Sequence, residues 1–217
     1  MRMRKKKHRE DRIENCKEYQ IENLEAFRED PCSVFPNPGP IHIEIGCGKG
    51  KFITQMGQKY PNINFVAIEK CPDVILMAME KVKEAGLTNV KFIIGDAKIL
   101  SDSMKDHSFE RLYLNFSDPW KKSGQKKRRL TYRDFLAIYE RILIPGGELH
   151  FKTDNRKLFE FSLNEFADCD LKMRNITFDL HNSRFEENVM TEYETLFAEQ
   201  GMPIYRCEVI FRQNEEE

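Results

Sequence analysis

The sequence predicts an α/β protein built on a doubly wound, mostly parallel sheet with helices on both faces. Segments with strand-like alternation recur between segments with helical periodicity, at the spacing that crossovers between parallel strands need. The chain has 217 residues, 40% of them hydrophobic, which is enough apolar material for one core. After about residue 155 the strand and helix segments no longer alternate regularly. We therefore expect an antiparallel strand near the C-terminal end of the sheet.

Seven segments have the length and composition of strands. The first five alternate with helices, and the last two flank a long connection. We place the strands at residues 41–45, 64–68, 90–94, 111–116, 148–153, 173–178 and 205–211.

Helices are expected around these strands. Pro72 and Gly86 bound the helix after the second strand, because proline suits a first helical turn and glycine closes a last one. Thr131, with Asp134 three residues later, is expected to cap the helix that ends at residue 143. The other predicted helices cover residues 10–28, a segment through 52–56, 155–167 and 189–199.

Composition also divides the chain and excludes some classes of protein. Residues 1–35 are expected to form a basic N-terminal extension with a helix, residues 36–213 the main domain and residues 214–217 an acidic tail.

The longest purely apolar run, 74–79, is far shorter than the ~18 residues of a membrane-spanning helix. With no apolar signal segment after the basic N-terminus, the chain is predicted to be cytoplasmic. No C-x-x-C or H-E-x-x-H motif occurs, so neither disulfides nor a metal site is expected.

The net charge of −1 conceals two cationic segments. Residues 1–12 carry seven lysines and arginines against two acids, and residues 121–133 carry seven and no acid. Blocks of like charge repel one another, so two such segments in an otherwise acidic chain indicate a polyanionic partner. The alternative is a disordered tail and a solvated loop.

An acidic residue stands at or near the end of each of the first five strands. Ligands of open parallel sheets bind outside the carboxyl ends of the strands, so these side chains are expected to share one rim and form a ligand site. They are Glu44, Glu69, Asp96, Asp118 and Asp154.

The glycine-rich turn after the first strand narrows the choice of ligand. Dinucleotide phosphates require G-x-G-x-x-G, whereas residues 46–50 read G-x-G-x-G, and a rim of carboxylates would repel phosphates. S-adenosylmethionine is a cation with hydroxyl and amino groups, and it suits such a rim. Glu69 could accept from its ribose hydroxyls and Asp96 from its adenine amine, while the glycines allow the backbone to approach closely.

Four of these segments resemble the motifs of a protein superfamily. Residues 44–50, Glu69, 95–96 and 115–120 are similar to successive motifs of the class I S-adenosylmethionine-dependent methyltransferases. The resemblance implies their seven-stranded Rossmann-like sheet and S-adenosylmethionine as cofactor, with S-adenosylhomocysteine as product. It implies cofactor contacts from Glu44, Gly46, Gly48, Glu69, Asp96 and Asp118.

Further segments resemble the bacterial tRNA (guanine-N7-)-methyltransferases more narrowly. They are D-P-W-K-K at 118–122 with K-K-R-R at 126–129, K-T-D at 152–154 and T-E-Y-E at 191–194. The likeness runs from about residue 2 to residue 211. It implies methylation at N7 of a guanosine in tRNA, the variable-loop guanosine at tRNA position 46.

The resemblance implies roles for individual residues. Asp118 belongs to the reaction centre, although a turn residue before a proline is the structural alternative. Substrate contacts are implied for Lys122, Asp154, Thr191, Glu192, Tyr193 and Glu194. The last four residues also have the T-x-x-E spacing of a helix capping box. RNA contacts are implied for Gly124, Gln125, Lys126, Lys127, Arg128 and Arg129.

The chemistry agrees with the absence of an evident proton relay. Guanine N7 carries a free lone pair at neutral pH, so its attack on a sulfonium methyl needs no general base, and positioning with electrostatic stabilisation supplies the catalysis.

Three other functions stay open. The glycine spacing argues against a nicotinamide oxidoreductase. The single proline in S-D-P-W argues against a methyltransferase that acts on an exocyclic amine. The five rim acids argue against a non-enzymatic RNA-binding protein, which would have no need of them.

Overall fold

The computed structural model describes residues 7–212. Arg2, Arg4, Lys5 and Lys6 of the basic segment and the predicted tail at 214–217 therefore lie outside the described residues. Within this range the strands are β1 (Ile41–Ile45), β2 (Asn64–Glu69), β3 (Val90–Ile94), β4 (Phe109–Asn115), β5 (Leu143–Thr153), β6 (Lys172–Thr177) and β7 (Tyr205–Ile210).

The strands form one mixed sheet in the order β3-β2-β1-β4-β5-β7-β6. The pairs β1/β2, β2/β3 and β4/β5 are parallel, whereas β7 runs antiparallel to both β5 and β6. The predicted fold class is therefore confirmed, and β7 is the antiparallel strand expected near the C-terminal end. The helices are α1 (Arg9–Glu14), α2 (Leu24–Glu29), α3 (Lys51–Lys59), α4 (Pro72–Glu84), α5 (Ile99–Ser103), α6 (Arg133–Ile142), α7 (Arg156–Asp168) and α8 (Glu192–Glu199).

The chain divides into two compact units, Met1–Lys105 and Asp106–Glu217. In the first unit, α3 and α4 pack against β2 and β3. Gly86 ends α4 as predicted: it has φ of 64° and donates to the Lys83 carbonyl oxygen, while Leu87 N–H donates to Val82. This pair of bonds is a Schellman motif, which needs a left-handed residue after the helix.

The single helix predicted over residues 10–28 is wrong. The segment contains α1, a 3-10 turn at Lys17–Tyr19 and α2. The helix is interrupted because Ile21 is buried and its N–H donates to the Phe92 carbonyl oxygen at 2.8 Å, which gives the chain an extended pairing beside β3. Asn23 then starts α2, since its side chain accepts from the Ala26 N–H at 3.0 Å.

In the second unit, α6 and α7 pack against β5. The apolar face of β5 contacts α7 through aromatic rings, with the Phe151 centroid 6.0 Å from Phe159 and 6.3 Å from Phe166. The opposite alternation places Glu148, His150 and Lys152 together on the other face of β5. The second unit therefore has one apolar and one polar sheet face.

The predicted cap of α6 is wrong. Thr131 is fully buried and its hydroxyl accepts from Ser162 Oγ at 2.7 Å, so it does not cap the helix. Tyr132 occupies the N-cap position, and the Arg133 N–H donates to the Glu165 carboxylate of α7 at 2.9 Å. A tertiary contact thus satisfies the helix end. The helix also ends one residue early, at Ile142, because β5 already begins at the next residue.

Across residues 7–212, no helix has both the length and the apolar character that a bilayer crossing requires.

Candidate active site

The glycine-rich turn after β1 folds back on the end of β2. The N–H groups of Gly46 and Cys47 both donate to the Ile68 carbonyl oxygen, at 2.7 and 3.1 Å. Gly46 and Gly48 have φ values of 78° and 57°, a conformation that glycine adopts without steric cost. A Cβ on either glycine would meet nothing within 4 Å, so the turn leaves open space beside its backbone.

Gly50, the third glycine of the turn, has a packing role. A Cβ here would lie 2.5 Å from the Cβ of Ala78 in α4, so only glycine allows this approach. Gly50 is also the N-cap of α3. The G-x-G-x-G spacing therefore combines two glycines that shape an open turn with one that packs it against α4.

Two backbone N–H groups fix the Glu69 carboxylate. Its Oε2 accepts from Gly48 at 3.3 Å, and its Oε1 accepts from Cys71 at 2.9 Å. Each oxygen keeps lone-pair capacity for a further donor. The turn and the acid that the sequence analysis assigned to one ligand are therefore in direct contact.

The other two predicted rim acids of the first unit, Glu44 and Asp96, differ in exposure. Glu44 is the fourth residue of β1 and only 1% exposed, so it lies inside the strand and not beyond its end. Asp96 is exposed, and its Oδ1 accepts from the Lys98 N–H at 3.2 Å in the turn after β3. Gly95 N–H donates to the Glu69 carbonyl oxygen at 3.1 Å, which joins the ends of β2 and β3.

In the second unit, the turn after β4 is bracketed by two non-glycine residues in left-handed conformation. Phe116 has φ of 56° and Trp120 has φ of 39°. Such conformations cost about 1–3 kcal/mol each and persist only where the surroundings hold them. Between them, Asp118 is exposed. The structure therefore holds the Asp118 turn in a strained shape.

The basic segment that follows is a 3-10 helix, Ser123–Arg128. Lys122 and Gly124 are exposed, as are Lys126, Lys127 and Arg128, while Gln125 is half-buried. The Arg128 guanidinium lies 5.0 Å from the Trp120 ring centroid. Most of the predicted RNA-contacting positions thus lie on one accessible turn of chain.

Some cations of the two basic segments are engaged in ion pairs with the protein itself. Arg133 binds the Glu165 carboxylate through two nitrogens, both at 3.0 Å, and hydrogen bonds to Glu165 raise its pKa. Arg12 of α1 binds Glu80 of α4 through two nitrogens, both at 2.7 Å. These arginines therefore tie helices together.

The K-T-D and T-E-Y-E segments meet through buried groups. Lys152 Nζ donates to the Glu194 carboxylate at 2.7 Å, to Asn188 Oδ1 at 3.1 Å and to the Val189 carbonyl oxygen at 2.9 Å. Asn188 Nδ2 donates back to Glu194, which is fully buried. Glu194 was assigned to the substrate on sequence grounds, but the structure gives its carboxylate these internal partners.

The other residues of these two segments range from buried to exposed, and Thr191 is buried. Thr191 begins α8 as the capping-box spacing predicts, because its Oγ1 accepts from the Glu194 N–H at 3.0 Å. Tyr193 is 64% exposed and its ring stacks on Phe197, centroid to centroid at 6.3 Å. Glu192 and Asp154 are half-buried.

A second polar cluster, on β5 and β7, escaped the sequence analysis. One ligand atom each from Glu148, His150 and Glu208 lies within 4.8 Å of the others, a spacing that a metal ion could bridge. Arg174 binds both carboxylates, and Arg206 binds Glu208, so cationic side chains neutralise the acids here. Burial lowers the pKa of the His150 imidazole and favours its neutral form. The only advance signal was the E-x-H alternation at 148–150.

Comparisons with known proteins agree with this architecture. Residues 38–207 match the family model described as "Putative methyltransferase". A crystal structure of the 16S rRNA methyltransferase KamB shares the fold, with a TM-score of 0.62 and 12% identity over 86% of this chain and 93% of that one. Kmr, an antibiotic-resistance methyltransferase, has a TM-score of 0.59 and 15% identity over 87% of this chain and 94% of its own.

Relatives of much higher identity are also known. A tRNA (guanine-N(7)-)-methyltransferase of Halalkalibacterium halodurans is 47% identical over 100% of this chain and 98% of its own. Its counterpart in Listeria monocytogenes serotype 4b is 45% identical over 99% of this chain and 100% of its own. Since these matches extend over nearly the full length of both chains, the chain belongs to the tRNA (guanine-N(7)-)-methyltransferase family.

Proposed function

We propose that this chain transfers a methyl group from S-adenosylmethionine to N7 of a guanosine in tRNA and so forms 7-methylguanosine. The observation that carries the proposal is the strained turn around Asp118, followed at once by an exposed cationic helix. This arrangement puts an acceptor carboxylate next to side chains suited to phosphates. The proposal includes the guanosine at tRNA position 46, which the family resemblance implies, and the cytoplasmic location that the sequence analysis expects.

The first unit fits the cofactor by its donor and acceptor groups. The open space beside Gly46 and Gly48 would admit a ligand to the backbone. Glu69 presents a carboxylate already oriented by two N–H groups, which suits a pair of hydroxyls. Asp96 presents an exposed acceptor for an amine, and Glu44 adds a buried carboxyl group within β1. When bound, S-adenosylmethionine supplies an electrophilic methyl carbon on a positively charged sulfur.

The second unit fits the acceptor. Guanine N7 needs no proton removed, so the residues here have to hold the base rather than ionise it. A carboxylate accepts well from the N1–H and N2–H groups of guanine, and Asp118 and Asp154 are the acidic candidates for this part. Phosphates bind through Lys122, Lys126, Lys127 and Arg128, and Tyr193 offers an exposed ring for stacking.

The test is incubation of the full chain with radiolabelled S-adenosylmethionine and unmodified tRNA transcript, followed by nucleoside analysis. The expected product is labelled 7-methylguanosine. A second transcript with adenosine in place of the guanosine at position 46 should accept no label. Label in an N2-methylated guanosine, or tRNA binding without any label, would overturn the proposal.

A further inference from the structure

Arg129, the last cation of the K-K-R-R run, differs from its neighbours in what it contacts. Its Nε donates to the Pro119 carbonyl oxygen at 3.0 Å, and its Nη2 donates to the Trp120 carbonyl oxygen at 3.1 Å. The guanidinium carbon lies 4.2 Å from the centroid of the Phe161 ring in α7. Arg129 is half-buried, whereas Lys127, two positions earlier, is exposed.

These contacts fall on the strained part of the turn. Trp120 has φ of 39°, and its carbonyl oxygen is one of the two acceptors of the guanidinium. A left-handed non-glycine residue relaxes unless other contacts hold it. Two hydrogen bonds to successive carbonyl groups, together with stacking on Phe161, are contacts of that kind. Asp118 is the residue immediately before this pair.

The geometry requires the planar guanidinium. Its nitrogens are arranged as a fork that reaches two neighbouring oxygens while one face of the group lies on an aromatic ring. A lysine ammonium is a point charge without a plane, so it cannot make this set of contacts together. Electrostatic attraction to a phosphate, by contrast, is largely preserved when lysine replaces arginine.

We propose that Arg129 is a positioning residue that clamps the Pro119–Trp120 backbone and thereby sets the Asp118 carboxylate, and that it does not contribute a phosphate contact. This rests on the proposed function, because it divides the basic segment into cations that bind tRNA and one that shapes the reaction centre. It also revises the expectation that all four residues of the run contact RNA.

The chain offers a direct probe of the clamp, since Trp120 is its only tryptophan. We would compare Arg129→Lys and Arg129→Ala with Lys127→Ala, a matched control from the same run. Readouts are the emission maximum and acrylamide quenching of Trp120, kcat with tRNA, and the salt dependence of tRNA affinity. Circular dichroism melting shows whether each variant folds. If Arg129→Ala does not fold, the comparison of Arg129→Lys with the native protein decides.

Arg129→Lys should change Trp120 emission and quenching and lower kcat by roughly 100-fold, the scale of a displaced catalytic group. Its salt slope should match the native protein. Lys127→Ala should leave emission unchanged and reduce the slope by about 1, as the loss of one phosphate contact does.

Native Trp120 emission and kcat in Arg129→Lys, with a reduced slope in Arg129→Ala, would overturn the proposal and make Arg129 a phosphate ligand. Failure of the proposed function is a separate result. If the native chain methylates no tRNA, the emission and quenching measurements still decide whether Arg129 holds the turn.

Discussion

Lys152 Nζ lies 2.7 Å from the Glu194 carboxylate, and the two side chains are only 7% and 0% exposed. The pair joins β5, two residues before Asp154, to the first turn of α8, which carries Tyr193. Buried pairs of this kind define geometry more than they add stability, because desolvation offsets their attraction. Their cost appears when one partner is removed.

Lys152→Met is therefore expected to destabilise the protein by about 3 kcal/mol, since it leaves the Glu194 carboxylate buried without its cation. The double variant Lys152→Met with Glu194→Leu should recover a large part of this loss, because no uncompensated charge remains. Urea unfolding of the two single variants and the double variant gives the coupling free energy. Strictly additive effects would show that the two groups do not depend on each other.

The Asp118 carboxylate is expected to be needed for methyl transfer but not for tRNA binding. Asp118→Ala should reduce transfer by at least about 100-fold, the scale for a lost electrostatic contact in a reaction centre. Single-turnover assays and filter binding measure the two effects separately. Glu140→Ala, which removes an exposed carboxylate of α6, is the control and should change neither. Equal losses of transfer and binding in Asp118→Ala would make Asp118 a structural turn residue.

Glu69 is expected to control cofactor affinity alone. Glu69→Gln replaces one carboxylate oxygen by an amide donor, so one of the bonds from Gly48 and Cys71 is lost together with one acceptor for a ribose hydroxyl. The Kd for S-adenosylmethionine should rise about 10- to 100-fold, as the loss of a hydrogen bond to a charged group does. Calorimetry measures this Kd, and a filter assay measures the tRNA Kd, which should not change.

Glu84→Gln, at the end of α4, is the matched control because Glu84 is exposed. A native cofactor Kd in Glu69→Gln would remove Glu69 from the cofactor site. An increase in both Kd values would instead indicate a general disturbance of the fold.

Local sequence signals account for the strands and the glycine turns, and tertiary contacts account for what they missed. The period of two and the turn residues are encoded within a few positions, so all seven strands were predictable. The Lys152–Glu194 pair joins residues 42 apart, and the bond from Arg133 N–H to Glu165 spans 32. The T-x-x-E pattern cannot reveal that the Glu194 side chain is buried against Lys152, because Lys152 lies in β5. The K-K-R-R pattern likewise cannot reveal that Arg129 contacts the Pro119 and Trp120 carbonyl groups and the Phe161 ring, which lie outside the run.

The polar cluster on β5 and β7 predicts how stability depends on pH. Burial alone would raise the pKa of Glu208. Hydrogen bonds from Arg206, Arg174 and Asn175, together with the electrostatic effect of His150, outweigh burial. They lower the pKa of Glu208 to about 2 from an ordinary 4.5. The folded state therefore releases this proton more readily than the unfolded state. The stability that Glu208 contributes is complete above pH 4.5 and is lost as the pH falls toward 2.

Glu208→Gln removes this contribution at every pH. The variant should be less stable than the native protein by about 3 kcal/mol at pH 7, because Arg206 loses its charged partner in a buried site. The difference should shrink as the pH falls below 4.5, where the native carboxylate begins to lose its advantage. Urea unfolding from pH 7 to pH 3, with Glu140→Gln as an exposed control, measures it. A difference that stays constant over this range would mean that the ionisation of Glu208 is not linked to folding, and that its contacts with the arginines stabilise both protonation states equally.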